Sequence, residues 1–244
     1  MLIAQLSDIH AAPDNDNDNL ARLHNAIDWL LALQPDLLVV SGDLTDDGWH
    51  EGYLAIAAEL QRLYCRTHII PGNADDKAVM CASLPAFIHH HAADAMHFCQ
   101  QLDSVAVIGL DVTVAGESRG DIRPHLPWLK SALAASPQPA LLFLHQHLFP
   151  SGIAPLDSAM CDGSEELRQL LHTLPFPPLA LCSGHVHRPM SATFAGIPAY
   201  ICGSICPANP LMLDAQRLPP VGDPPALMIH QIRERRLVSH FVSV

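Results

Sequence analysis

No apolar run in this 244-residue chain approaches the ~18 residues that a membrane span needs, because Asp, His, Gln and Pro interrupt every hydrophobic stretch. A membrane-embedded protein is excluded on that count, and a membrane partner is not expected. Basic residues are scarce as well: 13 Lys plus Arg face 25 Asp plus Glu, for a formal net charge of -12. Such a field repels phosphate polymers at long range and argues against a nucleic-acid polymer as partner. The opening MLIAQLSDIH lacks the basic region of a secretory leader and turns polar at Gln5. It reads as a first strand, and the expected location is cytoplasmic. The cysteines at 65, 81, 99, 161, 182, 202 and 206 are odd in number and contain no CxxC pair, so reduced thiols are expected rather than a disulfide framework. Internal repeats are missing too. The polar patch DNDNDN at 14–19 is no calcium loop, since Asn19 and Asn25 stand where such a loop needs Gly and Glu.

What is present is a globular composition, 49% hydrophobic and 16% charged, without a linker-like segment. The whole of 1–244 is therefore expected to form one domain. Short apolar runs at 2–6, 37–40, 67–70, 105–110, 140–144 and 179–182, each ending at polar or Gly residues, read as buried strands. Residues 20–33 carry a helical apolar stripe, and 53–63, 127–135 and 164–174 read as further helices. Strand and helix alternate as in a parallel α/β unit. The runs at 190–194, 198–202, 226–232 and 237–242 predict a more antiparallel C-terminal portion. Proline clusters between 207 and 225, so 203–225 reads as an irregular loop, a lid or an interface.

Sixteen histidines are about three times an ordinary share, and several stand where apolar strands end. Asp8 and His10 close the first strand as SDIH and, two apart in an extended segment, would face one site. Asp43 follows the second strand in SGDLTD, where Gly42 lets the backbone turn. Asn73 follows the third in PGNAD, His145 closes ALLFLH, and His185 and His187 close LALCSGHVH. Each alone is an ordinary strand-end polar residue. Together, five strand ends present ligand-type side chains, and ligands in open α/β folds gather beyond such ends. Four imidazoles, two carboxylates and one amide oxygen are too many for one ion and suit two that share a carboxylate. Mixed N and O donors without thiolate favour Mn, Fe, Zn, Co or Ni, with Mn, Fe and Zn foremost. Cys182 reads as packing rather than as a ligand.

These segments resemble the motifs of the calcineurin-like metallophosphoesterases: DxH, GDxxD, GNHD or GNHE, a strand-end His, and GHxH. The chain matches them in order with Asp8-Ile9-His10, Gly42-Asp43-Leu44-Thr45-Asp46, Gly72-Asn73-Ala74-Asp75, His145 and Gly184-His185-Val186-His187. Within that superfamily it looks most like the class III cyclic-nucleotide phosphodiesterases and their glycerophosphodiesterase relatives, which share segments like LHQHLFPSG, the stretch 120–129 and the GS after Cys202. The resemblance implies an α/β fold, a four-layer α-β-β-α sandwich with mixed sheets. It implies that Asp8, His10 and His187 hold one metal, that Asn73, His145 and His185 hold the other, and that Asp43 bridges. Asp43, Asn73 and His145 would act through a hydroxide that the two metals generate and that attacks phosphorus in line with the leaving alkoxide. The implied substrates are small phosphodiesters, with 3',5'-cyclic nucleotides foremost. A phosphomonoesterase, a nucleotide pyrophosphohydrolase or a non-catalytic scaffold are the alternatives, and a homodimer is in keeping with such relatives.

One position departs from the family pattern. Ala74 stands where most members carry the His that assists the leaving group, while Asp75 keeps the motif's carboxylate without that partner. His147, or one of His89, His90 and His91, is the candidate replacement, and Lys77 lies where close relatives often place an Arg that meets a phosphate oxygen. General-acid help is worth about 10²- to 10⁴-fold. Without it, rates should depend steeply on leaving-group pKa, with activated aryl diesters cleaved much faster than alkyl ones. Ala74→His should then raise the alkyl rate selectively. A leaving-group series on wild type and Ala74→His checks this, and a shallow dependence unchanged between the two refutes it.

Overall fold

The computed structural model describes residues 1–14, 17–88, 95–213, 218–234 and 236–244. The candidate replacements His89, His90 and His91 lie outside the described residues. In chain order the first half runs β1 (Leu2–Leu6), α1 (Asn19–Leu33), β2 (Leu37–Val40), α2 (His50–Leu60), β3 (Arg66–Ile69), α3 (Lys77–Ser83), β4 (Phe98–Gln101), β5 (Ala106–Leu110) and β6 (Gly120–Asp121). The second half runs α4 (Leu126–Ala135), β7 (Ala140–Leu144), α5 (Ala154–Asp157), β8 (Cys161–Asp162), α6 (Ser164–His172) and β9 (Ala180–Ser183). It ends with β10 (Met190–Phe194), β11 (Ile197–Ile201), β12 (Ala226–Arg233) and β13 (Arg236–Ser243).

Two sheets dominate, in strand orders β13-β12-β1-β2-β3 and β10-β11-β9-β7-β5-β4. In the first, β1, β2 and β3 are parallel, and in the second β5, β7, β9 and β11 are parallel. The central strands read as unbroken apolar runs because both of their faces are buried. Ile3, Leu37 and Val39 turn inward to meet Val107, Leu141 and Phe143 of the other sheet, while Ala4, Leu6, Leu38 and Val40 turn outward to Leu23, Ile27, Leu30 and Ile56 on α1 and α2. On the far side, Leu129 of α4 and Leu167 and Leu171 of α6 cover Ile108, Leu142 and Leu144. The layers are helix, sheet, sheet, helix, as the resemblance implied.

The C-terminal strands form antiparallel hairpins, as their patterns predicted. The two hairpins part company, however: β10-β11 joins the second sheet, with β11 parallel to β9, whereas β12-β13 joins the first beside β1. The irregular segment between them crosses from one sheet to the other, which strand patterns alone do not encode. Helix α3 and strand β4 carried too little periodicity to be foreseen. Their one legible signal is Asp76, whose Oδ1 accepts from the backbone N–H of Ala78 and Val79 and so caps α3. The described part of 203–225 has neither helix nor strand. Arg188 ties it down, donating to the Asn209 carbonyl at 2.8 Å and to Asp223 at 3.1 Å.

One polar chain crosses the inter-sheet core. The Gln5 amide donates to Ser41 Oγ and to the Ser183 carbonyl, and its Oε1 lies 3.3 Å from Nε2 of the fully buried His230. Burial, reinforced by His240, pushes His230 down to about 3. As pH falls from the ordinary histidine value of ~6.5 toward 3, the unfolded chain therefore binds a proton that the folded chain refuses. Stability from this residue is complete above that value and is lost on acidification, by up to about 1.4 kcal/mol per pH unit. In urea titrations between pH 6 and 4, His230→Gln should show a dependence shallower by about one proton. Identical slopes would mean that His230 titrates in the native state.

Candidate metal centre

The site stands on the carboxyl edges of both sheets. Loops after β1, β2 and β3 bring Asp8, His10, Asp43 and Asn73 from the first sheet, and loops after β7 and β9 bring His145, His185 and His187 from the second. Backbone bonds stitch these loops together. Asp8 N donates to the Gly42 carbonyl, Ile9 N and His10 N to that of Asp43, Gly184 N to that of His145, and Cys206 N to that of Asp8.

The sequence reading put Asp8 and His10 on one face of an extended segment, and that reason does not hold. Strand β1 ends at Leu6, and both residues take left-handed backbone, with φ of 55° and 49°. Asp43, His185 and His187 do the same, at 54°, 71° and 57°. Five of the seven candidate ligands thus occupy conformations that cost non-glycine residues energy, of order 1 kcal/mol or more each. The left-handed turns swing the side chains off the strand axes and over the sheet edges. Room comes from glycines. Gly42 has φ of 99°, and a Cβ on Gly72 would sit 2.1 Å from Asp43 Oδ1.

The side chains form two clusters that meet at Asp43. In one, Asp8, His10, Asp43 and His187 converge: His10 Nε2 lies 3.1 Å from His187 Nε2 and 3.3 Å from Asp43 Oδ2, and His187 Nε2 lies 3.4 Å from Asp8 Oδ1. In the other, His145 Nε2 lies 3.2 Å from the same Asp43 Oδ2 and 3.3 Å from His185 Nδ1. Asn73 stands between Gly72 and Ala74, both of which lie against Asp43, and its Oδ1 is buried with no hydrogen-bond partner among the described residues. Imidazole nitrogens about 3 Å apart with a shared carboxylate between them are crowded donors that want a cation.

The same crowding sets the proton affinities of these groups. Burial alone would depress His10, but its bonds to Asp43 and Asp46 outweigh burial and hold it up at about 11. Burial likewise opposes, and Asp43 overrides, at His145, which rises to about 9. Asp43 itself, despite burial, is held well below the ordinary carboxylate range by His145 and His10. His185 goes the other way, to about 3, through burial and the neighbouring His145. A cation entering here would displace the protons of His10 and His145.

Groups behind the cluster fix three of the four rings. His10 Nδ1 bonds Asp46 Oδ1 at 2.6 Å, His145 Nδ1 donates to the Ser41 carbonyl at 2.7 Å, and His187 Nδ1 lies 3.2 Å from Cys206 Sγ. The backbone N–H of His185 donates to both oxygens of Asp8. Ala74 N–H donates to Asp43 Oδ1 at 2.8 Å, which leaves Oδ2 for the two clusters. Asp46 was legible within its motif. Cys206 carried only a weak signal, two residues beyond the GS, and Ser41 carried none, since it contributes a main-chain oxygen. Cys182 packs between the sheets.

Two expectations change. Asp75 is not short of partners: Oδ2 accepts from Gly72 N–H, and Oδ1 from Leu44 N–H at 3.0 Å and the Tyr53 hydroxyl at 2.9 Å. It clamps the loops after β2 and β3 to α2, and burial with the nearby Asp43 charge raises it to about 6. His147 is fully buried behind the site, its ring stacked on His185 at 5.5 Å, and burial lowers it to about 4. It is neutral near pH 7 and poorly suited to deliver a proton. Lys77 lines the adjoining cavity, yet its Nζ is paired with buried Asp111 at 2.7 Å.

Comparison with known proteins places these loops in context. The profile of the family described as calcineurin-like phosphoesterase matches residues 1–189. The chain is 28% identical over 254 residues to a probable glycerophosphodiester phosphodiesterase of Arcobacter nitrofigilis, covering 98% of this chain and 92% of that one. It is 30% identical over 218 residues to a probable cyclic nucleotide phosphodiesterase of Rhodococcus erythropolis, covering 84% and 70%. In fold it is similar to a dimetal phosphatase from Danio rerio, with a TM-score of 0.72 at 15% identity over 100% of this chain and 96% of that one.

The stitching of the loops is open to test at Gly184, where an added Cβ would lie 1.9 Å from Ser7 Oγ and 2.8 Å from Asp8 Oδ2. Overpacking of this kind costs about 1–3 kcal/mol, so Gly184→Ala should lower Tm by roughly 2–12 °C. Calorimetry checks it, and an unchanged Tm would mean that the loops part freely.

Proposed function

The chain belongs to the calcineurin-like phosphoesterase family and is a metal-dependent phosphoester hydrolase of the dinuclear type, and from that premise we propose that it hydrolyses small phosphodiesters, with 3',5'-cyclic nucleotides as the leading class. In this reading Asp8, His10 and His187 hold one ion, Asn73, His145 and His185 hold the second, and Asp43 is common to both. The observation that carries it is the single oxygen Asp43 Oδ2, within 3.3 Å of His10 Nε2 and 3.2 Å of His145 Nε2.

The residues present fit such ions. The donor set is imidazole, carboxylate and one amide oxygen, suited to Mn, Fe or Zn, and the buried Asn73 Oδ1, unpartnered among the described residues, is an acceptor in need of a cation. When bound, the ions supply Lewis acidity toward phosphate oxygens and make water nucleophilic at neutral pH. The chain's own part is orientation. Asp46, the Ser41 carbonyl and Cys206 each hold the far nitrogen of a ring, so that one nitrogen of His10, His145 and His187 faces the cluster. Ala74 N–H holds Asp43 in its shared pose, and the methyl side chain of Ala74 itself carries no proton for a leaving group.

The names of the curated relatives support a diester over a monoester, and cyclic nucleotides and glycerophosphodiesters are the two classes to compare. One folded unit over 1–244 agrees with the sheets sharing a central core. No helix among the described residues is long and apolar enough to cross a membrane.

Elemental analysis of loaded protein should give two ions per chain. Asp43→Ala should lose both, and Asn73→Ala should chiefly weaken the second, since a neutral amide is its poorest donor and the other ligands remain. A single tightly held ion in active protein would remove the dinuclear assignment, and equal loss at both sites in Asn73→Ala would overturn the division of ligands. A panel of cyclic nucleotides, glycerophosphodiesters and monoesters on metal-stripped protein reconstituted with Mn, Zn or Fe tests the substrate class. Fastest turnover of monoesters would refute it.

A further inference from the structure

A cavity of about 980 Å³ opens beside Asn73, between the loop after β3 with α3 on one side and the approach to α4 on the other. Its volume lies near the top of the range, roughly 300–1,000 Å³, of pockets that enclose a whole drug-sized ligand. The phosphoester motifs account for one wall only. The far wall is built by His97, His125 and Trp128, none of which belongs to the ligand motifs; His125 and Trp128 lie in the stretch 120–129.

That wall has a defined hydrogen-bond polarity. The backbone N–H of Asp111 donates to His97 Nδ1 at 3.0 Å, so the proton of His97 sits on Nε2. His97 Nε2 lies 3.1 Å from His125 Nδ1, which must therefore accept. His125 is thereby neutral and carries its own proton on Nε2. Burial lowers its affinity for a second proton. The Trp128 ring packs against buried His97 at 4.6 Å between centroids and is itself half-buried.

The charges of the cavity are compensated. Lys77 is the one Lys or Arg among the described lining residues, and its ammonium is paired with Asp111 Oδ2, which also accepts from Met96 N–H. On the same side Asp76 is engaged in capping α3 and adds negative charge. Such a cavity does not favour a second phosphate, as a pyrophosphate substrate would bring. It offers an aromatic face, one fixed N–H donor and more volume than a glycerol unit fills.

Resting on the phosphodiesterase reading above, we infer that this cavity is the subsite for the base of a nucleotide ester, with Trp128 as the stacking surface and His125 Nε2–H as donor to an acceptor on the base. Both are specificity-determining residues, and His97 is a positioning residue that sets the tautomer of His125. Because purines and pyrimidines alike carry hydrogen-bond acceptors, as ring nitrogens or carbonyl oxygens, and a π-face, the subsite accepts a base in general rather than one base.

The test uses the metal-reconstituted full chain and isothermal calorimetry with three probes: adenosine 5'-monophosphate, glycerol 3-phosphate and inorganic phosphate. Wild type should bind the nucleotide at least about tenfold more tightly than glycerol 3-phosphate, the equivalent of one stacked base. Trp128→Leu should cut the nucleotide-to-phosphate affinity ratio by roughly 5- to 100-fold, and His125→Phe, which keeps a ring but removes the N–H, by about tenfold. Equal binding of the nucleotide and glycerol 3-phosphate by wild type overturns the subsite, as does an equal loss of nucleotide and phosphate affinity in both variants. Turnover of methyl 4-nitrophenyl phosphate, followed separately, reports on the parent reading. A chain that cleaves this diester yet does not prefer the nucleotide leaves the phosphodiesterase standing and removes the subsite. A chain that prefers the nucleotide but cleaves no diester does the reverse.

Discussion

The carboxylate of Asp43 is the point on which the site depends. It is almost fully buried, and a buried carboxylate without partners is among the costliest groups a fold can hold. Everything around it serves that need: Ala74 N–H on one oxygen, His10 and His145 on the other, and Gly72 passing so close that no side chain would fit. Because His10 comes from one sheet and His145 from the other, this one group also fixes how the two edges meet. The same oxygen that the protein must neutralise is the oxygen two ions would share. The requirements of stability and of chemistry coincide there.

Holding that arrangement has a structural cost, visible in the left-handed backbone of Asp8, His10, Asp43, His185 and His187. Strain at so many neighbouring residues persists only when the surroundings over-determine it. Here the surroundings are two sheets whose facing residues, among them Ile3, Val39, Val107, Leu141 and Phe143, are fully buried. Backbone bonds then join the loops directly, and the Asp75 clamp adds Tyr53 of α2 to the assembly. Loops of this kind are no longer independent connections, so their side chains meet with little loss of freedom on binding an ion.

The two sides of the active face divide the work. The motif loops hold groups suited to phosphoester chemistry, which asks for the same donors whatever alcohol is released. The wall of His97, His125 and Trp128 arises from the residue before β4, the segment after β6 and the first turn of α4, away from the ligand loops. A family that acts on several kinds of ester can keep the first and change the second, since function lives in the site rather than in the fold.

Which residue types end which strands was legible in the sequence. Five short apolar runs, each closing on Asp, Asn or His, were enough to read a shared cluster and a layered α/β fold, because burial on both faces leaves an unmistakable apolar run and a polar stop. The mechanism by which Asp8 and His10 come together was not legible, since left-handed backbone at non-glycine residues is imposed by contacts from distant loops. Nor was the parting of the two C-terminal hairpins between sheets, because a strand's pattern records burial and not its neighbour. The partners of Asp75, the burial of His147 and the pairing of Lys77 with Asp111 likewise depend on side chains far apart in the chain. They follow from the packed fold, and so does the His97–His125–Trp128 wall: the stretch 120–129 that holds His125 and Trp128 was legible, but its meeting with His97 comes about only when the start of β4 and α4 are packed beside the loop that carries Asn73.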